Sequence, residues 1–192
     1  MIAGVLLAAG ASSRFGSNKL LHPLPDGTPI AVAAGRNLKK AVARAVAVVR
    51  SHDDAVAERL QAEGLEVVVC SRAAEGMGYS LACGVAATSN ADGWLIALAD
   101  MPFVSLETFR TVVRHIEAGA LIAAPAFNGQ RGHPVGFCRR LYGELVSLDG
   151  DLGARVLLDR HANEVQLFEC NDSGICRDID TRADLKDALT SL

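Results

Sequence analysis

The sequence predicts a single α/β domain, a Rossmann-like sandwich around a mostly parallel central sheet. Short, continuous apolar runs recur at residues 2–8, 45–49, 65–70, 94–99 and 121–124. Such runs suit strands that are buried on both faces, which requires helices above and below the sheet. Between them, residues 30–42, 53–63, 79–87 and 106–118 carry apolar side chains at helical spacing, so strand and helix alternate. A length of 192 residues supports one sizeable core rather than two independent ones.

Taken in order, the first run ends at Gly10 and opens into a loop of small residues. After Pro125 the rhythm changes. Residues 128–133 are rich in turn formers, 134–138 read as a short strand, and 139–146 as a polar helix. Gly150 and Gly153 flank a third short helix through Leu158, and residues 164–169 look like another strand. The last helix starts at Thr181, whose hydroxyl, with Asp184 three residues on, resembles a capping box.

Composition narrows the partners. A net charge of -3 and 5% aromatic residues leave neither a basic footprint nor stacking platforms, so nucleic acid is not expected. Cys70, Cys83, Cys138, Cys170 and Cys176 are odd in number and contain no CxxC pair, which argues against a disulfide framework or a zinc site and fits a reducing cytoplasm. Residues 1–10 are apolar but short, with no basic residue ahead of them. They read as a buried strand rather than a signal peptide or membrane span, and no membrane partner is expected.

The strongest chemical signal is Leu7-Ala8-Ala9-Gly10-Ala11-Ser12-Ser13-Arg14-Phe15-Gly16-Ser17-Asn18-Lys19, directly after the first strand. Small residues let backbone amides approach phosphate oxygens, while Arg14 and Lys19 supply cationic donors for a triphosphate. The spacing is neither that of a Walker loop nor GxGxxG. Asp100 ends the apolar run 94–99, which puts a carboxylate at the carboxyl end of a buried strand, where open α/β sheets bind ligands. That position suits a Mg²⁺ ligand, with a turn or capping role as the alternative. Gly76, Gly78 and Ser80 open a predicted helix and offer amides and a hydroxyl to a base or ribose.

The opening signature resembles the family of molybdenum cofactor cytidylyltransferases and their guanylyl relatives. Further matches follow in order: Gly76-Met77-Gly78-Tyr79-Ser80-Leu81, Ala99-Asp100-Met101-Pro102-Phe103, Arg131-Gly132-His133-Pro134-Val135, Gly150-Asp151-Leu152-Gly153-Ala154-Arg155 and Asp178-Ile179-Asp180-Thr181. The resemblance implies CMP transfer from CTP to the phosphate of molybdopterin or its molybdenum form, with a molybdenum hydroxylase as possible recipient of the product. It makes Leu7, Ala8, Ala9, Gly10, Arg14, Lys19, Gly76, Gly78 and Ser80 nucleotide contacts, and Arg14, Lys19 and Asp100 the catalytic group. Asp100 and Asp180 become the Mg²⁺ ligands, with Asp178 structural. His133 and Arg155 become acceptor contacts. Residues 1–104 would mainly bind nucleotide and 105–192 mainly acceptor. Ala9, where guanylyl relatives usually resemble a form with Gly, favours cytidine. A sugar or polyol phosphate acceptor, or a non-catalytic cofactor-delivery role, remains the alternative.

Overall fold

The computed structural model describes residues 1–10, 15, 17–51 and 55–190. Within them the strands β1 (Ile2–Leu7), β2 (Arg44–Val49), β3 (Glu66–Val69), β4 (Gly93–Leu98), β5 (Ile122–Phe127), β6 (Gln130–Arg131), β7 (Val135–Cys138) and β8 (Val165–Glu169) form one sheet. The helices are α1 (Ile30–Ala41), α2 (Ala55–Ala62), α3 (Met77–Ala87), α4 (Leu106–Glu117), α5 (Tyr142–Val146), α6 (Arg155–Arg160) and α7 (Arg182–Thr190).

β3, β2, β1 and β4 run parallel in that spatial order, and β8 is parallel to β5. β7 enters antiparallel between β4 and β5. β5 and β6 are joined at Asn128 and Gly129, both at positive φ (52° and 75°), the conformation a two-residue hairpin turn requires. No described helix is long and apolar enough to cross a membrane.

The period of two along each strand feeds two cores. Leu6 packs on one side with Ile30 and Leu38 of α1 and Phe109, Val112 and Ile116 of α4. Ala3 and Val5 pack on the other with Leu81 and Val85 of α3, Leu145 of α5 and Leu157 of α6. Trp94 is fully buried in this second core, and its indole N–H donates to Thr88 Oγ1 at 2.9 Å, so its one polar atom is satisfied.

One expected element differs and another forms as expected. The helix expected around Gly150 and Gly153 is instead a turn with both glycines at positive φ, and α6 begins only at Arg155. The expected capping box is present: Asp184 N–H donates to Thr181 Oγ1 at 3.2 Å, and Thr181 N–H to Asp184 Oδ2 at 2.6 Å.

α3 lies close on the sheet at Gly84, where an added Cβ would fall 2.4 Å from Val5 Cγ1 and 2.8 Å from Val48 Cγ2. Gly84→Val should therefore lower unfolding free energy by about 1–3 kcal/mol through overpacking. Gly143→Ala, with nothing within 4 Å of its Cβ position, should be neutral or slightly stabilising. Urea denaturation of the two variants checks the contrast.

Candidate active site

Three segments distant in sequence meet at the carboxyl edge of β1 and β4. Lys19 stands in a 3-10 turn, Lys19–Leu21, held by Asn18, whose side chain accepts from Leu20 N–H at 3.2 Å. Phe15 and Leu20, each 4% exposed, anchor the chain on either side of it in the core. The Lys19 ammonium donates to Asp100 Oδ2 at 2.9 Å and to Asp180 Oδ1 at 2.7 Å. Burial works to lower the Lys19 pKa, but the hydrogen bonds to Asp100 and Asp180 outweigh it and hold the ammonium above its ordinary value.

Asp100 follows β4, as expected. Asp180 does not follow a strand: it ends a coil after the 3-10 turn Ser173–Cys176. Its placement comes from docking. Asp172 accepts from Ser105 N–H at 2.9 Å and from Thr108 Oγ1 at 2.5 Å, and Ile179 N–H donates to the Asp100 carbonyl at 2.9 Å. Asp180 N–H then donates to the capping carboxylate of Asp184 at 3.0 Å.

A cavity of about 470 Å³ beside this cluster is lined by Leu7, Ala9, Gly10, Gly76, Ser80 and Asp100 among the expected residues, and by Arg50 and Asp151 among those not anticipated. Ala8 and Gly78 lie behind its wall. The Ala8 side chain belongs to the core and its N–H is bonded to Val48 O at 2.9 Å, so it has no amide to spare. Gly78 N–H donates to Gly150 O at 2.8 Å, and its Cβ position lies 2.3 Å from Asp149 O. Its smallness thus serves a close approach to the loop before α6. Gly76, at φ 143°, makes the same approach: an added Cβ would fall 2.2 Å from Gly150 O. Arg14 lies outside the described residues.

A second cavity, about 200 Å³, shares Leu7, Met77 and Leu98 with the first and adds Leu81, Ile96, Val135, Phe137, Arg131, His133 and Arg155. His133 and Arg155 thus share one slot, drawn from both halves of the chain. His133 is partly buried and its Nδ1 is buried with no hydrogen-bond partner among the described residues. Burial, then the Arg131 guanidinium, push its pKa down to about 4, with Asp178 pulling weakly the other way. The imidazole is neutral near neutral pH.

A buried parallel core whose carboxyl edge gathers an ammonium, two carboxylates and a glycine-lined cavity defines a nucleotide-binding α/β domain. The chain belongs to the MobA-like NTP transferase domain family, whose model matches residues 4–165. It is 34% identical over 190 residues to nicotine blue oxidoreductase of Paenarthrobacter nicotinovorans, covering 94% of this chain and 92% of that protein. It is 32% identical over 197 residues to purine catabolism protein PucB of Bacillus subtilis, covering 93% and 91%. The crystal structure of Rv0371C in complex with manganese, from Mycobacterium tuberculosis H37Rv, superposes with a TM-score of 0.79 at 28% identity, covering 100% of this chain and 99% of that one.

Because folded His133 protonates near pH 4 and unfolded histidine near 6.5, the unfolded chain binds more protons between those values. Stability should fall as pH drops from 6.5 and level off below about 4, by on the order of 2 kcal/mol after allowing for partial exposure. Denaturant midpoints measured across that range should fall less steeply for His133→Gln than for the wild type; equal slopes would remove this assignment.

Proposed function

We propose that this chain transfers CMP from CTP to the phosphate of a molybdopterin-type acceptor and releases pyrophosphate. The observation that carries the reading is the pair of cavities meeting across Leu7, Met77 and Leu98, one beside the Lys19, Asp100 and Asp180 cluster, the other an apolar slot with Arg131, His133 and Arg155. Leu81, Ile96, Val135 and Phe137 line that slot. They suit the faces of a flat heterocycle, whose polar edge can turn to Arg131, His133 and Arg155, better than a sugar or polyol, whose hydroxyls point in several directions and each need a polar partner. The two guanidiniums suit its phosphate.

The acceptor phosphate, already anionic near neutral pH, attacks the α-phosphorus. The new bond forms between acceptor oxygen and phosphorus, the bond to the β-phosphate oxygen breaks, and the electron pair leaves with pyrophosphate. Little general-base help is needed; positioning and charge neutralisation dominate. His133, neutral at that pH, acts as a hydrogen-bonding group rather than a proton carrier. Lys19, with Arg14 from the signature loop, neutralises triphosphate charge.

Asp100 and Asp180 fit a divalent ion: they are hard oxygen donors that already converge on one cation at 2.9 and 2.7 Å, the donor set Mg²⁺ takes alongside phosphate oxygens. When bound, the ion would supply Lewis-acid polarisation of the phosphates. The manganese complex of the mycobacterial relative supports a divalent-ion site here.

A second reading, redox chemistry, draws on the relative named as an oxidoreductase. The carboxylate pair on Lys19 favours phosphoryl chemistry, since hydride transfer has no evident use for it. A third reading, cofactor delivery without turnover, predicts binding and no pyrophosphate. Pyrophosphate release from CTP over a panel of pterin, sugar and polyol phosphates, run beside NAD(P)H consumption, separates the three.

Asp100→Asn and Asp180→Asn should each slow pyrophosphate release by roughly 100-fold, and the double variant should be little worse than the more damaging single, because the two carboxylates act as a unit. Asp178→Asn should be milder. Near-normal turnover in Asp180→Asn, or simple additivity in the double, would leave Asp100 alone at the metal site.

A further inference from the structure

Resting on the nucleotidyl-transfer reading, we propose that Arg50 selects the base: its guanidinium donates two parallel hydrogen bonds to a base edge with two adjacent acceptors, as cytosine presents.

Arg50 directly follows β2 (Arg44–Val49) and lines the nucleotide cavity with Ala9, Ala73, Ala74, Gly76 and Ser80. It is exposed, and its Nε donates to the Ala9 carbonyl at 2.6 Å. This bond ties down one corner of the fork. The Nη1 and Nη2 end is engaged by no hydrogen bond or ion pair among the described residues. Five other guanidiniums are differently placed: Arg36, Arg44, Arg72, Arg114 and Arg160 each have a carboxylate partner, respectively Glu63, Glu66, Glu75, Glu107 and Glu144. Arg50 keeps its charge and its planar donor pair for the cavity.

Its lane in the sheet indicates which part of a nucleotide it meets. The order is β2, β1, β4, so at about 4.8 Å per lane the end of β2 stands roughly 10 Å across from Asp100 at the end of β4. The triphosphate end belongs to Lys19, Asp100 and Asp180. Arg50 is therefore at the nucleoside end. A guanidinium with two free parallel N–H groups matches neighbouring acceptors bidentately. Cytosine offers O2 and N3 as such a pair. Uracil has O2 beside an N3–H, which turns one of the two contacts into donor against donor. Guanine offers O6 and N7, the pairing arginine uses in the DNA major groove, whereas adenine presents N7 beside an amino group. Arg50 thus favours cytosine and guanine over uracil and adenine, with the choice between the first two left to the space near Ala9.

The test measures equilibrium binding of CMP and UMP to the full chain as wild type, Arg50→Ala and Arg50→Lys, each first checked for an unchanged melting temperature, together with pyrophosphate release from CTP and UTP. The wild type should prefer CMP by roughly ten- to a hundredfold. Arg50→Ala should bring that ratio near one while changing UMP binding little. Arg50→Lys, which keeps the charge and loses the fork, should also lose the preference. Equal weakening of CMP and UMP in Arg50→Ala, as a phosphate contact or a prop for the Ala9 loop would give, overturns the proposal, as does full preference in Arg50→Lys. If no acceptor yields pyrophosphate but the CMP-to-UMP ratio still collapses, Arg50 keeps its role and the transfer reading falls. If the wild type uses CTP and UTP equally well, transfer stands and the Arg50 assignment falls.

Discussion

The arrangement of the site depends on one ammonium between two carboxylates. Lys19, Asp100 and Asp180 come from the end of the signature loop, the end of a central strand and a coil near the carboxyl terminus. Gathering them takes like charges out of water, and the Coulomb gain offsets that desolvation only with good geometry. The fold supplies that geometry through neutral contacts. Phe15 and Leu20 sink into the core on either side of Lys19, Ile179 N–H fixes the backbone of the carboxyl-terminal coil to that of Asp100, and Asp172 fastens the same coil to the start of α4. The cluster is thus positioned by packing and backbone bonds.

A second constraint joins the two cavities. Gly76 and Gly78 allow the backbone at 149–150 to approach α3 more closely than any side chain permits. The loop so seated sends Asp151 to the cavity beside Lys19, Asp100 and Asp180, and Leu152, Ala154 and Arg155 to the apolar slot. Gly150 and Gly153, at φ 61° and 52°, turn the chain between those destinations. A change at the α3 start would therefore be felt in both cavities at once.

Much of this was legible in the sequence for physical reasons. Strands buried on both faces leave continuous apolar runs, so β1, β2 and β4 could be read to within a residue of their ends, whereas β5 runs on to Phe127, past the expected end at 124. The Thr181 and Asp184 cap has a local signature and forms as read. Asp100 was readable because carboxyl ends of buried strands are ligand positions. Asp180 was singled out by resemblance, but its route was not: docking of the 172–179 coil is made by tertiary bonds that leave no periodic trace. Ala8 and Gly78 share a motif with cavity residues yet face elsewhere, since a motif records spacing and not direction. Arg50 was missed although the rule that found Asp100 applies to it: a lone charged residue directly after an apolar run, at the end of β2 beside β1. Its anchor on Ala9 could not be read from either residue's sequence surroundings.

The boundary between the cavities bears on how such a site would avoid wasting its nucleotide. Leu7 and Leu98 are the last residues of β1 and β4, lie opposite each other in the parallel register, and with Met77 line both cavities. On the transfer reading, the reacting phosphorus must lie where the cavities meet, so the nucleophile approaches across an apolar sill. Water, the competing nucleophile, gains no hydrogen bond from the side chains of Leu7, Met77 or Leu98, whereas an acceptor phosphate can be held by Arg131 and Arg155 on the far side. Discrimination against hydrolysis then needs no residue that recognises water. It follows from placing polar contacts on the flanks of the reaction centre and apolar ones at its threshold, an arrangement already contained in the alternation of β1 and β4, which end on leucine where the sheet meets its ligand edge.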